Sequence, residues 1–120
     1  MRVLIVESDP TLLHNYTIYA TTELGCEVIG VSDGKFIFES GEAVVSCDAY
    51  IVDFDAPIGG IAILSALIPI AGKRPILVHY DSKRKPDIGK IKTRFRRKMT
   101  FRRKQHDGAN MIWFLEKHLP

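Results

Sequence analysis

The stretch Ala49-Tyr-Ile-Val-Asp53-Phe54 constrains this chain more than any other. It is a short apolar run rich in β-formers, preceded by Asp48 and closed by Asp55-Ala-Pro57-Ile-Gly59-Gly60. A run without polar alternation suits a strand buried on both faces, as in a parallel sheet. Asp53 stands at its carboxyl end, and in open α/β sheets ligands and chemistry collect at that edge. A carboxylate there is either a salt-bridged structural acid or a functional one, and a short motif alone does not separate the two.

The rest of the chain repeats the pattern. Val3 to Val6 is a first buried strand, followed by Glu7-Ser8-Asp9-Pro10. Asp9 suits a helix N-cap and Pro10 the first helical position. That helix runs to about Leu24, with Leu13, Tyr16, Thr17, Ala20 and Leu24 at core spacing, and Gly25 stops it. Glu27 to Val31 reads as a second strand and Phe36 to Ser46 as a helix weakened by Gly41. Past the Asp53 strand come a helix from about Gly60 to Ile68 and a fourth strand, Ile76 to Tyr80. A short helix falls within Lys83 to Lys98. Thr100 to Arg103 makes a fifth strand, and Asp107 caps a closing helix that runs to Leu119. Strand and helix alternate throughout, which implies one α/β domain over 1–120: a parallel sheet with helices on both faces.

Composition narrows the class further. A chain of 120 residues is long enough for one real core. The start shows no secretory signal, and no apolar run is long enough to span a bilayer, so a cytoplasmic protein without membrane contact is expected. Cys26 and Cys47 have no metal spacing and read as reduced, buried thiols. His14, His79, His106 and His118 show no ligand spacing and read as structural. The net charge of +3 conceals an asymmetry: residues 83–104 carry net +11, while residues 1–82 carry net −7. There is no Gly-rich phosphate loop, no dinucleotide fingerprint and no nucleophile elbow, which argues against nucleotide, flavin and Ser-hydrolase chemistry.

With this topology Glu7, Ser8 and Asp9 fall near Asp53 and Asp55. Carboxylates gathered in this way repel one another unless a cation lies between them. An oxygen-rich cluster suits Mg²⁺, and an aspartate beside Mg²⁺ can act as a nucleophile toward phosphorus. Lys104, after the fifth strand, could supply positive charge to a phosphoryl group.

On these residues the chain resembles the receiver domain of two-component response regulators over nearly its whole length. Val3-Leu-Ile-Val-Glu7-Ser8-Asp9-Pro10 resembles that family's first strand and acidic pair. Asp48 to Pro57 resembles its third strand, with the phosphoacceptor, here Asp53, four residues before a proline. Pro75 to Tyr80 resembles its fourth strand, and Phe101-Arg-Arg-Lys104 its fifth, with an aromatic three residues before a lysine. The resemblance implies a flavodoxin-like sheet of five parallel strands in order 2-1-3-4-5. It implies Mg²⁺ held by Glu7, Asp9 and Asp53, a phosphoryl contact from Lys104, and a switch pair of Tyr80 and Phe101. It also implies a histidine kinase or phosphotransfer protein as donor.

The departures bear on the same pocket. Ser8 fills the place of an acid that contacts Mg²⁺ in the family. Tyr80 replaces a Ser or Thr, with Ser82 a poorer candidate, and the charged Asp81 follows where a small residue is usual. Gln105 replaces a cis-proline, so its peptide bond is expected to be trans. Lys98 rivals Lys104, but the Phe101 spacing favours Lys104. Two readings remain open: a phosphoryl-accepting receiver, at most a Mg²⁺-dependent self-phosphorylating protein, and a pseudo-receiver that binds partners without phosphorylation or is an inert scaffold on the same backbone.

The basic 83–104 segment is either a solvated flank or a docking surface for an acidic partner. Phe95 and Phe101 interleave with its arginines, but no nucleic-acid motif is present, so a protein partner is the stronger expectation. Met111-Ile-Trp113-Phe114-Leu115 is apolar around most of a helical turn. One stripe cannot bury all five. Ile112, Leu115 and Leu119 fit the core stripe, which leaves Trp113 or Phe114 partly exposed as a partner or homodimer contact.

Overall fold

The computed structural model describes all 120 residues. Its five strands are β1 (Arg2–Val6), β2 (Glu27–Val31), β3 (Ala49–Asp53), β4 (Ile76–Tyr80) and β5 (Thr100–Arg103). All neighbours are parallel, in the order β2-β1-β3-β4-β5, as the sequence implies. Every residue of β3 and β4 is buried, which is why these two read as unbroken apolar runs.

Six α-helices cover the sheet: α1 (Pro10–Ile18), α2 (Lys35–Glu39), α3 (Gly41–Val45), α4 (Gly60–Ala71), α5 (Ile88–Phe95) and α6 (Ala109–His118). Strand side chains alternate between two cores. Leu4, Val6, Tyr50, Val52, Val78 and Phe101 pack with α2 to α5 on one face. Val3, Ile5, Ile51 and Leu77 pack with Leu12 and Tyr16 of α1 and with Phe114 and Leu115 of α6 on the other. Glu7 and Asp53 continue the second set, so both carboxylates emerge on the α1–α6 side of the sheet's carboxyl edge.

Several local expectations need correction. The second helix is not continuous: α2 and α3 break at Ser40, whose φ of −134° and ψ of 49° are not helical. The first helix loosens to π-helical geometry over Tyr19–Glu23. Thr17, Thr21 and Thr22 each donate a hydroxyl hydrogen bond to a carbonyl four residues back, which competes with the regular ladder. Leu12, Tyr16 and Ala20 are its buried positions, whereas Leu13, Thr17 and Leu24 are only half-buried. Helix α4 runs past Ile68 to Ala71. Gly60, at its start, lies so close to the Phe54 ring that a Cβ there would stand 2.1 Å from it.

The closing helix is also rotated from expectation. Its buried stripe is Met111, Phe114 and Leu115, while Ile112 and Leu119 are half-buried. Trp113 is the exposed aromatic at 40%, and Phe114 is buried. Gly108 rather than Asp107 takes the N-cap position, at φ +68°, a conformation glycine adopts without penalty. Asp107 instead accepts a hydrogen bond from the Ala109 amide at 3.0 Å.

Candidate functional site: a closed acidic pocket

Parallel register brings the ends of β1, β3 and β5 together. Val6 pairs with Val52 and Asp53 with His79, so Glu7 and Asp53 come out side by side. Tyr80 pairs with Arg103, and the Lys104 amide then donates to the Tyr80 carbonyl at 2.9 Å. Lys104 is thereby delivered to the pocket, while Lys98 precedes β5 at the opposite edge of the sheet.

Asp53 is 1% exposed and fully engaged. Its Oδ1 lies 2.9 Å from Lys104 Nζ and accepts the Asp55 amide at 2.9 Å. Its Oδ2 accepts both the Ser8 amide at 3.1 Å and the Ser8 hydroxyl at 2.6 Å. Burial pushes this carboxyl up, but the hydrogen bonds from Ser8, Lys104 and Asp55 outweigh it and hold the group below the usual carboxylate range. Glu7 is equally buried. Its Oε2 accepts Lys104 Nζ at 3.1 Å and the Asp9 amide at 2.9 Å. Its Oε1 is buried without a partner. Burial pushes Glu7 up to about 7, against the opposing hydrogen bond from Asp9, and the neighbouring Asp53 charge adds to the rise. For Lys104 burial lowers the value, but the two carboxylates prevail and hold it above the ordinary lysine range.

Two expected members do not join this centre. The Asp9 carboxylate caps α1, accepting from the Thr11 and Leu12 amides at 2.9 and 3.2 Å. The Tyr80 ring packs into the α2–α5 core with Phe101, away from Asp53's partners. Asp81 caps the short turn Ser82–Arg84. The Lys104–Gln105 peptide is trans, and the Gln105 carbonyl accepts the Tyr16 hydroxyl at 3.0 Å, tying α1 to the segment after β5.

Two residues outside the expected catalytic and metal-holding set belong to the pocket. Ser8 is one, and its place directly after Glu7 was the available signal. His79 is the other: it is buried, tilted against the Tyr16 ring at 5.5 Å, and its Nε2 has no partner. Burial, with the Lys104 charge adding, pushes it down to about 4, so it is neutral near pH 7.

The donor set does not fit Mg²⁺. Nowhere in the chain do three His, Cys, Asp or Glu side chains stand close enough to hold a metal. The Lys104 ammonium lies between the two carboxylates, 3.1 Å from Glu7 Oε2 and 2.9 Å from Asp53 Oδ1, so a second cation would have to displace it. Above the pocket lies a cleft of about 300 Å³ lined by Asp9, Leu12, Asp81, Ser82, Lys104 and His106. Asp53 is not among its lining residues, and the lining sets two acids, Asp9 and Asp81, beside Lys104 and His106.

No protein-family model matches the chain, and no curated protein matches it in sequence. Solved structures do match. The chain is similar to a response regulator receiver protein from Sinorhizobium medicae WSM419 (TM-score 0.75, 17% identity, 98% of this chain and 92% of that one). It is similar to the chemotaxis response regulator CheY4 of Vibrio cholerae (TM-score 0.76, 17% identity, 98% of both chains). The response regulator TrrA from Thermotoga maritima, in a complex with Mg²⁺ and BeF, aligns at TM-score 0.74 and 17% identity over 98% of both chains. The chain therefore has the fold of response-regulator receiver domains, of the CheY-like type.

Proposed function

We propose that this chain is a receiver-type module of two-component signalling that acts by docking to a protein partner, with its acidic pocket closed rather than loaded with metal and phosphate. The observation that carries this reading is the saturation of Asp53 by Ser8, Asp55 and Lys104. A carboxylate that accepts four hydrogen bonds has no free lone pair for in-line attack on phosphorus, and its lowered basicity weakens it further as a nucleophile. Ser8 does here what a metal ion does in a charged acidic pair: it satisfies Oδ2 of Asp53. Lys104 neutralises what remains. The pocket then serves as a fixed strut between β1, β3 and β5.

The partner is of the class that reads a receiver surface: a histidine kinase or a phosphotransfer protein upstream, or an acidic protein downstream. The basic flank contributed by α5 and β5 and the exposed Trp113 are the surface it would contact. The Trp113 ring is bracketed by two cations, with the Arg102 guanidinium 4.6 Å and the Lys117 ammonium 4.4 Å from its centroid.

A second reading keeps phosphoryl acceptance at Asp53. It is supported by the 2.9 Å contact of Lys104 Nζ with Asp53 Oδ1. Phosphotransfer from a phosphorylated histidine phosphotransfer protein separates the two. Docking without label on Asp53, unchanged in Asp53→Asn, supports the closed module. Transfer of an acid-stable, alkali-labile label to the parent protein that is lost in Asp53→Asn supports the second reading.

A further inference from the structure

At the other edge of the sheet, away from Asp53, the starts of β4 and β5 and the end of α6 enclose a cleft of about 330 Å³. Lys73, Arg97, Lys98, Lys117 and His118 line it above the Phe114 ring, and no carboxylate does. The ion pairs of the protein engage only Arg2 and Lys104, so all of these cations lack an acidic partner.

The charges are placed in different ways. Arg97 is fixed: Nε and Nη2 donate to the Gly72 carbonyl at 3.0 and 2.8 Å, Nη2 also donates to Arg74, and Nη1 donates to Lys98 at 2.9 Å. It supplies field rather than free donors. Lys73 and Lys98 are exposed, and their ammonium groups are in no ion pair. Lys117 leans on Trp113, 4.4 Å from the ring centroid. His118 packs edge-on against Phe114 at 5.0 Å, and it is held below the ordinary imidazole range by burial and then by Lys117 and Lys98. Lys98, Lys117 and His118 thus line the same cleft.

We infer that this cleft binds a small ligand carrying two or more phosphate groups. Like charges gathered without counter-charge repel each other, and only an anion of high charge density relieves several at once. The concavity is near the lower end of small-molecule sites, roughly 300–1,000 Å³, and matches a compact anion rather than a folded partner. Lysine ammonium groups are mobile point donors suited to phosphate oxygens.

The test is calorimetric titration of the intact chain with sodium pyrophosphate at low and moderate salt, with inorganic phosphate and a single-stranded oligonucleotide as comparison probes. The expected result is saturable one-to-one binding of pyrophosphate, tighter than phosphate. Lys98→Glu/Lys117→Glu is expected to weaken it at least about tenfold, as the loss of charge-assisted contacts requires. Lys85→Glu/Lys90→Glu, an equal charge change on the exposed flank around α5, leaves it within about twofold. All four positions are exposed, and circular dichroism verifies folding. No saturable heat overturns the inference. So does equal weakening by both variants, which means general attraction to a basic surface, or binding of the oligonucleotide alone, which means an extended polyanion surface instead of a cleft.

Discussion

The Ser8 hydroxyl donates to Asp53 Oδ2 across 2.6 Å, joining the second residue after β1 to the last residue of β3. The Ser8 amide donates to the same oxygen at 3.1 Å. One small side chain thus satisfies Oδ2 of Asp53, and Lys104 pairs with Oδ1.

Ser8→Ala removes a hydrogen bond to a buried charge. A loss of about 1.5–3 kcal/mol of stability is expected in urea unfolding. Ser8→Asp tests the same point in reverse. It sets a third carboxylate beside Glu7 and Asp53, so the variant is expected to unfold more easily in chelator and to recover with millimolar Mg²⁺, whereas the parent chain does not respond to the metal.

Lys104→Met leaves Asp53 and Glu7 without their shared counter-charge. Breaking a buried pair by removing one partner costs about 3 kcal/mol or more. Lys104→Met combined with Asp53→Asn is expected to regain much of that loss. A double variant as unstable as the sum of the singles would show that the pair is not coupled.

Glu7 gives a pH dependence with a defined sign. Its folded value of about 7 lies above the 4.5 of the unfolded chain, so its contribution to stability is present below pH 4.5 and is lost as pH rises to about 7. The full span is about 3 kcal/mol. Glu7→Gln is expected to raise stability at pH 8 relative to pH 5, compared with the parent protein, when both are followed by urea unfolding.

His79 works in the opposite direction. Its folded value of about 4 lies below the 6.5 of the unfolded chain, so stability falls as pH drops from about 6.5 to about 4. Between pH 4.5 and 6.5 the Glu7 and His79 slopes oppose each other, and a nearly flat profile is expected there. His79→Leu removes one side of that balance and is expected to make the protein gain stability on acidification through this window.

Trp113 is 40% exposed between Arg102 and Lys117. Trp113→Ala is expected to cost about 2–4 kcal/mol in stability, because more than half of the ring is covered, while weakening partner binding or self-association in the variant that remains folded. Unchanged association measured by sedimentation would count against this face as an interface.

How much of this could be read in the chain depended on how local the cause was. β2, β4 and β5 fall at the sequence-derived bounds and the other two strands within a residue, since burial on both faces leaves an apolar run that needs no partner to be recognised. The cap of α1 was equally legible, because Asp9-Pro10 acts on its own next turn. The break at Ser40 was not, since Gly41 signals weakness without saying where the chain turns. The pocket lies between these cases. Glu7, Asp53 and Lys104 were singled out by position at the sheet edge, but the saturation of Asp53 by Ser8 is a contact between residues 45 apart, and only the parallel register creates it. The local cap engages Asp9 and keeps it out of the pocket, while tertiary packing turns Tyr80 into the core.

The most direct test is an amide NMR titration of the intact chain with Mg²⁺, then with Mg²⁺ and beryllofluoride, in parallel with Asp53→Ala. The closed pocket predicts no saturable shift at Ser8, Asp53 or Lys104 at millimolar Mg²⁺, and no further change with beryllofluoride. Saturable shifts at those three residues that vanish in Asp53→Ala would contradict it and restore Asp53 as a working acceptor.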